Sequence, residues 1–217
     1  MTQTKDIRDA VENELGYDPL IDDSGITVKN INGDVALNGT VPSYPQYLEA
    51  AAASRRVAGV KKVSNHLEVV LPADNTRDDA TLTTTANNAL TVNVAVPDGV
   101  EATAKDGNIT LTGIVTYGTG RPAAEQAVTY LIGVRNVKDD ITISTDADPV
   151  DVTLNVQDAL DRYALIPDDS DVTVGTSGNT VTLTGRVRTF AEHDAVVDAA
   201  WMATGVYDVV DGLYVTG

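Results

Sequence analysis

Short runs in which apolar and polar residues alternate give way to stretches with apolar residues three and four apart, and this succession is written three times along the chain. Ile7, Ala10, Val11 and Leu15 share one face of a predicted helix that Gly16 stops. Val152, Val156, Ala159, Leu160 and Tyr163 repeat that face in the third copy. The middle copy, Leu82 to Leu90, contains three successive threonines and two asparagines and is a poorer helix former. Two alternating strands follow each time. Their inward residues are Ile26, Val28, Val35 and Leu37, then Val100, Ala102, Ile109 and Leu111, then Val172, Val174, Val181 and Leu183. Thr, Asn and Lys stand between them, so one sheet face is expected to be wet. A second helix carries a stripe of mostly small residues (Ala50, Ala53, Ser54, Val57; Ala124, Ala127, Val128, Leu131; Val196, Ala199, Ala200, Ala203). A last strand holds Val63, Leu67 and Val69, with Val137, Ile141 and Ile143, and Val209, Leu213 and Val215, as equivalents.

Glycines punctuate this pattern at fixed places. Gly33 to Gly39 (Gly-Asp-Val-Ala-Leu-Asn-Gly) recurs as Gly107 to Gly113 and, read with one residue inserted, as Gly178 to Gly185. Asn32-Gly33, Asp106-Gly107 and Ser177-Gly178 read as tight hairpin turns. Twenty residues past Gly39, Gly113 and Gly185 stand Gly59, Gly133 and Gly205, each expected to end the second helix in the left-handed cap conformation. The predicted fold class is α+β: three tandem α-β-β-α-β units, each a small mixed three-stranded sheet with two helices on one face. A unit of about 70 residues is long enough to fold by itself, so the expected domains are 1–72, 73–146 and 147–217, with linkers around Pro72 to Thr76 and Asp146 to Pro149.

A hairpin strand of the form Gly-x-Val-x-Leu-x-Gly, followed by Gly59-Val60-Lys61-Lys62-Val63-Ser64-Asn65-His66-Leu67, resembles the BON domain, named after bacterial osmotically inducible periplasmic and nodulation proteins. One extra residue precedes Leu67, Ile141 and Leu213 relative to the family's Gly-Val-x-x-Val-x-Asn-x-Leu pattern. The resemblance covers nearly the whole chain. It implies a non-catalytic module that attaches proteins to phospholipid membranes or binds hydrophobic or ionic ligands, in envelope and osmotic-stress settings.

Charge and composition narrow the partners. A net charge of −17, distributed as −3, −5 and −9 over the three domains, repels nucleic acid and anionic lipid at long range. There are no cysteines, and no segment is apolar enough to span a bilayer. Without a secretory leader the sequence as written reads as cytoplasmic, or as periplasmic if a native leader has been removed. Arg55, Arg56, Lys61 and Lys62 form the main basic cluster, a candidate contact for anionic headgroups or acidic partners, and equally a set of cations at a helix carboxyl end. Trp201 lies off the core stripe, where the other copies have Arg55 and Thr129, and is a second contact candidate. Tyr44, Tyr117 and Phe190 stand at the entrance to the second helix, where a local staple is the ordinary role.

Chemical motifs are weak by comparison. Gly118-x-Gly120-x-x-Ala123 with Asp139 imitates a dinucleotide fingerprint, but the unit is too small for a doubly wound sheet. Asp168 to Asp171 lacks the ligand spacing of a calcium loop, and His66 and His193 fall in different units. Asn65, Asp139 and Asp211 recur at one position, where a short polar side chain organises the local backbone. No catalytic residue, metal site or cofactor is expected. Phospholipid or an envelope component is the favoured partner, with a monovalent cation such as potassium held by carbonyls, or a protein partner, as the alternatives.

Overall fold

The computed structural model describes residues 2–115, 120–143, 152–162, 171–203 and 205–216, with side chains from residue 6 onward. Tyr117, Gly118 and Thr119, the second linker, Tyr163 and Asp168 to Ser170 lie outside the described residues.

Each unit has the expected order. The first runs α1 (Thr2–Tyr17), β1 (Ile26–Ile31), β2 (Asp34–Val41), α2 (Tyr44–Arg56) and β3 (Lys62–Val69). The second runs α3 (Asp79–Val92), β4 (Glu101–Lys105), β5 (Asn108–Val115), α4 (Gly120–Thr129) and β6 (Asn136–Ile143). The third runs α5 (Val152–Arg162), β7 (Asp171–Ser177), β8 (Thr180–Val187), α6 (Phe190–Met202) and β9 (Asp208–Val215). The middle strand of each sheet pairs antiparallel with its hairpin partner and parallel with the last strand, in register Val35↔Val63, Ile109↔Val137 and Val181↔Val209. Alternation puts Val35, Leu37 and Val41 under the helices, where they are buried with Val11, Leu15, Ala50 and Ala53.

The constant spacing between the two glycine landmarks has a direct cause. The carbonyl of the second hairpin-turn residue accepts the N–H of the residue just before the last strand: Gly33 from Lys61 at 2.9 Å, Gly107 from Arg135 at 2.8 Å, Asn179 from Tyr207 at 2.9 Å. This also corrects the reading of the third copy. No residue is inserted there; the turn is Gly178-Asn179, closed by the pair Ser177↔Thr180, and Asn179 stands where Gly33 and Gly107 stand. Asn32-Gly33 and Asp106-Gly107 have positive φ at both turn residues, whereas in the third turn the left-handed residue is Gly178 at +60°. Gly59 does not cap α2 either. The helix ends at Arg56, Val57 is already extended, and Gly59 at φ +86° sits within the turn closed by Val60 N–H onto Val57 O.

The weak helix former is a full helix because its polar residues find partners on the neighbouring strand. Asn87 donates to the Ala102 carbonyl at 2.8 Å and accepts the Ala102 N–H at 3.0 Å, and Thr83 Oγ1 accepts the Ala104 N–H. These bonds satisfy the outer edge of β4 while Leu82, Ala86 and Leu90 are buried beneath.

The units lean on one another in a cycle. Tyr44, the first residue of α2, is buried, stacks on Tyr47 at 5.7 Å, and faces Glu125 and the Val137 backbone of the second unit; burial pushes its phenol up, Glu125 adds to this and the Val137 N–H opposes it. Arg121, at the entrance to α4, sets its guanidinium carbon 5.4 Å from the ring centre of Trp201 in α6. Phe190, the first residue of α6, packs on the apolar cluster of the first two units, with Arg55 5.5 Å above its ring. Each time, the entrance of one second helix meets a neighbouring unit. Arg55 and Trp201, four residues before their landmark glycines, are the contact points on two of them. The buried apolar residues of the first and second units join into one cluster, and the third keeps its own.

Candidate functional site

The basic cluster is divided by its surroundings. Arg56 binds three carboxylates: Glu14 at 3.0 Å and Asp18 at 2.7 Å from the α1 side, and Glu49 at 2.8 Å within α2. These contacts raise its already high pKa, led by Glu49. Arg55 lies over Phe190 of the third unit. Lys61 and Lys62 are exposed, the stem of Lys61 lying against Gly33. The four residues near in sequence thus have three different neighbourhoods.

The recurring short polar residue has one job in all three units. Oδ1 of Asn65, Asp139 and Asp211 accepts the N–H of the residue two further on, at 3.2, 2.8 and 3.0 Å, satisfying a donor on a sheet-edge strand. The other side-chain atom reaches back to the second helix: Asn65 Nδ2 donates to Tyr47 O at 2.7 Å, Arg121 Nε donates to Asp139 Oδ2 at 2.7 Å, and His193 Nε2 lies 2.8 Å from Asp211 Oδ2. Asp139 is therefore engaged with its own helix, in the middle of β6. Exposed His66 and half-buried His193 do not meet, and among the described residues no group of three His, Cys, Asp or Glu is placed to hold a metal ion.

The second and third units enclose a cleft of about 420 Å³ between α4 and α6. Trp201, Met202, Val197 and Pro122 supply apolar wall, and Arg121, Asp139, Glu125 and Asp198 supply charge. Burial pushes the Glu125 carboxyl up, Asp139 adds to this and Arg121 opposes it; Asp198 is pushed up by burial and by Asp194. A raised folded-state pKa means that the native protein holds the proton longer than the unfolded chain. Stability then falls as pH rises from the ordinary carboxylate range through the folded value. Glu125→Gln is expected to raise the thermal midpoint at neutral pH and to leave it unchanged near about pH 3, where Glu125 is protonated in both states. Thermal denaturation at the two pH values checks this, and an equal shift at both would contradict it.

Family models of the BON domain match residues 3–70, 78–145 and 148–217. The chain belongs to the BON-domain family. It is a triple BON-domain protein. Among curated proteins no relative matches. Solved structures similar to it include CdsD, a structural protein of the type III secretion system of Chlamydia trachomatis, at 15% identity over 96% of this chain and 91% of that chain, with a TM-score of 0.26. The C-terminal domain of CdsD is 15% identical over 98% of both chains at a TM-score of 0.27, and the PrgH periplasmic domain 10% identical over 88% and 95% at 0.22. Among the described residues no helix is long and apolar enough to cross a membrane.

Sequence reasoning placed Trp201 off the core but missed the cleft beside it, because Arg121, Glu125 and Trp201 are neighbours only once two BON units meet. It also missed the apolar residues at the ends of the first helices in the first two units. Tyr17 (86% exposed) and Leu20 (66%) in the first unit, and Val92 (78%) and Val94 (102%) in the second, stand in the solvent at equivalent places. A break in helical spacing after Leu15 and Leu90 was the available signal.

Proposed function

We propose that this triple BON-domain protein attaches peripherally to phospholipid surfaces of the cell envelope, as a non-catalytic binding protein in osmotic or envelope stress, through the apolar tips that follow the first helices. The observation that carries the reading is the exposure of Tyr17, Leu20, Val92 and Val94. A cyclic succession of units favours equivalent parts lying on the same rim, which suits simultaneous contact with one surface. A net charge of −17, with Arg56 held by three carboxylates, favours apolar insertion into zwitterionic lipid over attraction to anionic headgroups.

Co-sedimentation with phosphatidylcholine vesicles, with and without phosphatidylglycerol, at several salt concentrations tests this. Binding to phosphatidylcholine vesicles that salt changes little, and that falls at least about tenfold in Y17S/L20S/V92S/V94S, is the expected result. The variant R55Q/R56Q/K61Q/K62Q is expected to retain binding. Binding confined to anionic vesicles and lost in that variant would replace apolar insertion by headgroup attraction, and no binding at all would end the lipid reading.

A further inference from the structure

One acid stands where all three units approach one another. Glu125, on α4, is half-buried; Tyr44 of the first unit faces it, and it lines the α4–α6 cleft with Val197, Asp198 and Trp201 of the third. At the equivalent places of α2 and α6, eight residues before the landmark glycine, stand Ala51 and Val197. Packing alone therefore does not call for an acid here. Nor does a base answer it. Arg121, the cation of the cleft lining, is held by Asp139 at 2.7 Å and lies over the Trp201 ring. Glu125 carries no side-chain hydrogen bond or ion pair among the described residues.

We propose that Glu125 is a proton-operated wedge: with its carboxyl protonated the third unit docks closely on the second, and with it ionised the α4–α6 junction opens. An ionised carboxylate in the closed junction gives up water without gaining a partner, and opening rehydrates it. The neutral acid carries no such cost. Its neighbours set the balance. Burial pushes the Glu125 carboxyl up, Asp139 on β6 acts in the same sense and Arg121 on α4 opposes both, while Tyr44 on α2, its phenol also pushed up by burial, is uncharged. From α6 comes Asp198 on the open side of the cleft, with Asp194 beyond it, 3.0 Å from His193 Nδ1. The closed form holds the proton longer than the open one. Closure is therefore complete below the ordinary carboxylate range and is lost as pH rises through the higher, closed-state value. The inference concerns the junction between units and is independent of lipid attachment.

Trp201 is the single tryptophan of the chain and lines this cleft, so quenching of its emission by acrylamide, an uncharged quencher, reads the junction in the full chain. The bimolecular quenching constant of the parent is expected to be at least about twofold smaller at about pH 5 than at about pH 8. In E125Q, and in E125A, which repeats the side chain of Ala51, it should stay low at both values. Asp158→Asn, which removes one exposed acid of α5 outside the cleft lining, is expected to keep the parental response and so to separate the wedge from net charge. Circular dichroism at both pH values should be unchanged in all four proteins, which sets unfolding apart from opening. Equal quenching of the parent at the two pH values would overturn the proposal. So would a response that survives in both Glu125 variants, which would move the switch to another group such as His193, or one that Asp158→Asn also abolishes.

Discussion

Gly39→Ala is expected to unfold the first unit. Gly39 adopts φ +121°, and an added Cβ would be driven into the carbonyl oxygen of Gly25, at the start of the strand paired with it. The obstacle is backbone on both sides, so no side-chain rotation relieves it. Gly113 against Gly99 and Gly185 against Asp171 repeat the geometry, which is why the hairpin motif closes on glycine in all three copies. Left-handed strain together with a backbone clash costs roughly 3 kcal/mol or more, against a stability on the order of 5 kcal/mol for a domain this small. Hydrogen exchange across β1 and β2 is the measurement, with loss of protection expected throughout both strands. Gly178→Ala is the control. Its φ is +60° but nothing lies within 4 Å of the added carbon, so the cost is about 1 kcal/mol. Equal protection of parent and Gly39→Ala would refute the argument.

Tyr44→Ala is expected to cost about 3–5 kcal/mol, the usual penalty for removing a buried aromatic side chain, and to lose it at the contact between the first two units. Tyr44 is 4% exposed and belongs to the apolar cluster those units share. Calorimetry should show their common unfolding transition separating into two, because the ring that couples them is gone. Tyr44→Phe keeps the ring and loses only the hydroxyl near the Val137 backbone, for about 1 kcal/mol or less. A Tyr44→Ala protein that still unfolds in one transition, with its midpoint lowered by less than about 2 °C, would show that the contact does not couple the units.

The differences between sequence and structure have specific physical origins. Threonine and asparagine in α3 argue against a helix as long as only local propensity is counted; Asn87 and Thr83 reverse that by bonding to β4, which is distant in sequence. Arg55, Arg56, Lys61 and Lys62 are one cluster along the chain. In space Glu14 and Asp18 claim Arg56, and Phe190 lies under Arg55, from more than 130 residues away. The role of Asn65, Asp139 and Asp211 in organising backbone was readable from recurrence, because the bond to the residue two further on is local. The bonds back to α2 and α4 were not.

Alternation, helical spacing and glycine position act over a few residues, and they were enough to determine three α-β-β-α-β units, their mixed sheets and their buried faces. Which strand neighbours which, where the third turn closes, and above all how Tyr44, Arg121 and Phe190 join one unit to the next were decided by tertiary structure alone. Such contacts depend on the shapes and charges of whole surfaces meeting. A surface residue that will be covered by another unit is written in the same letters as one that stays in water.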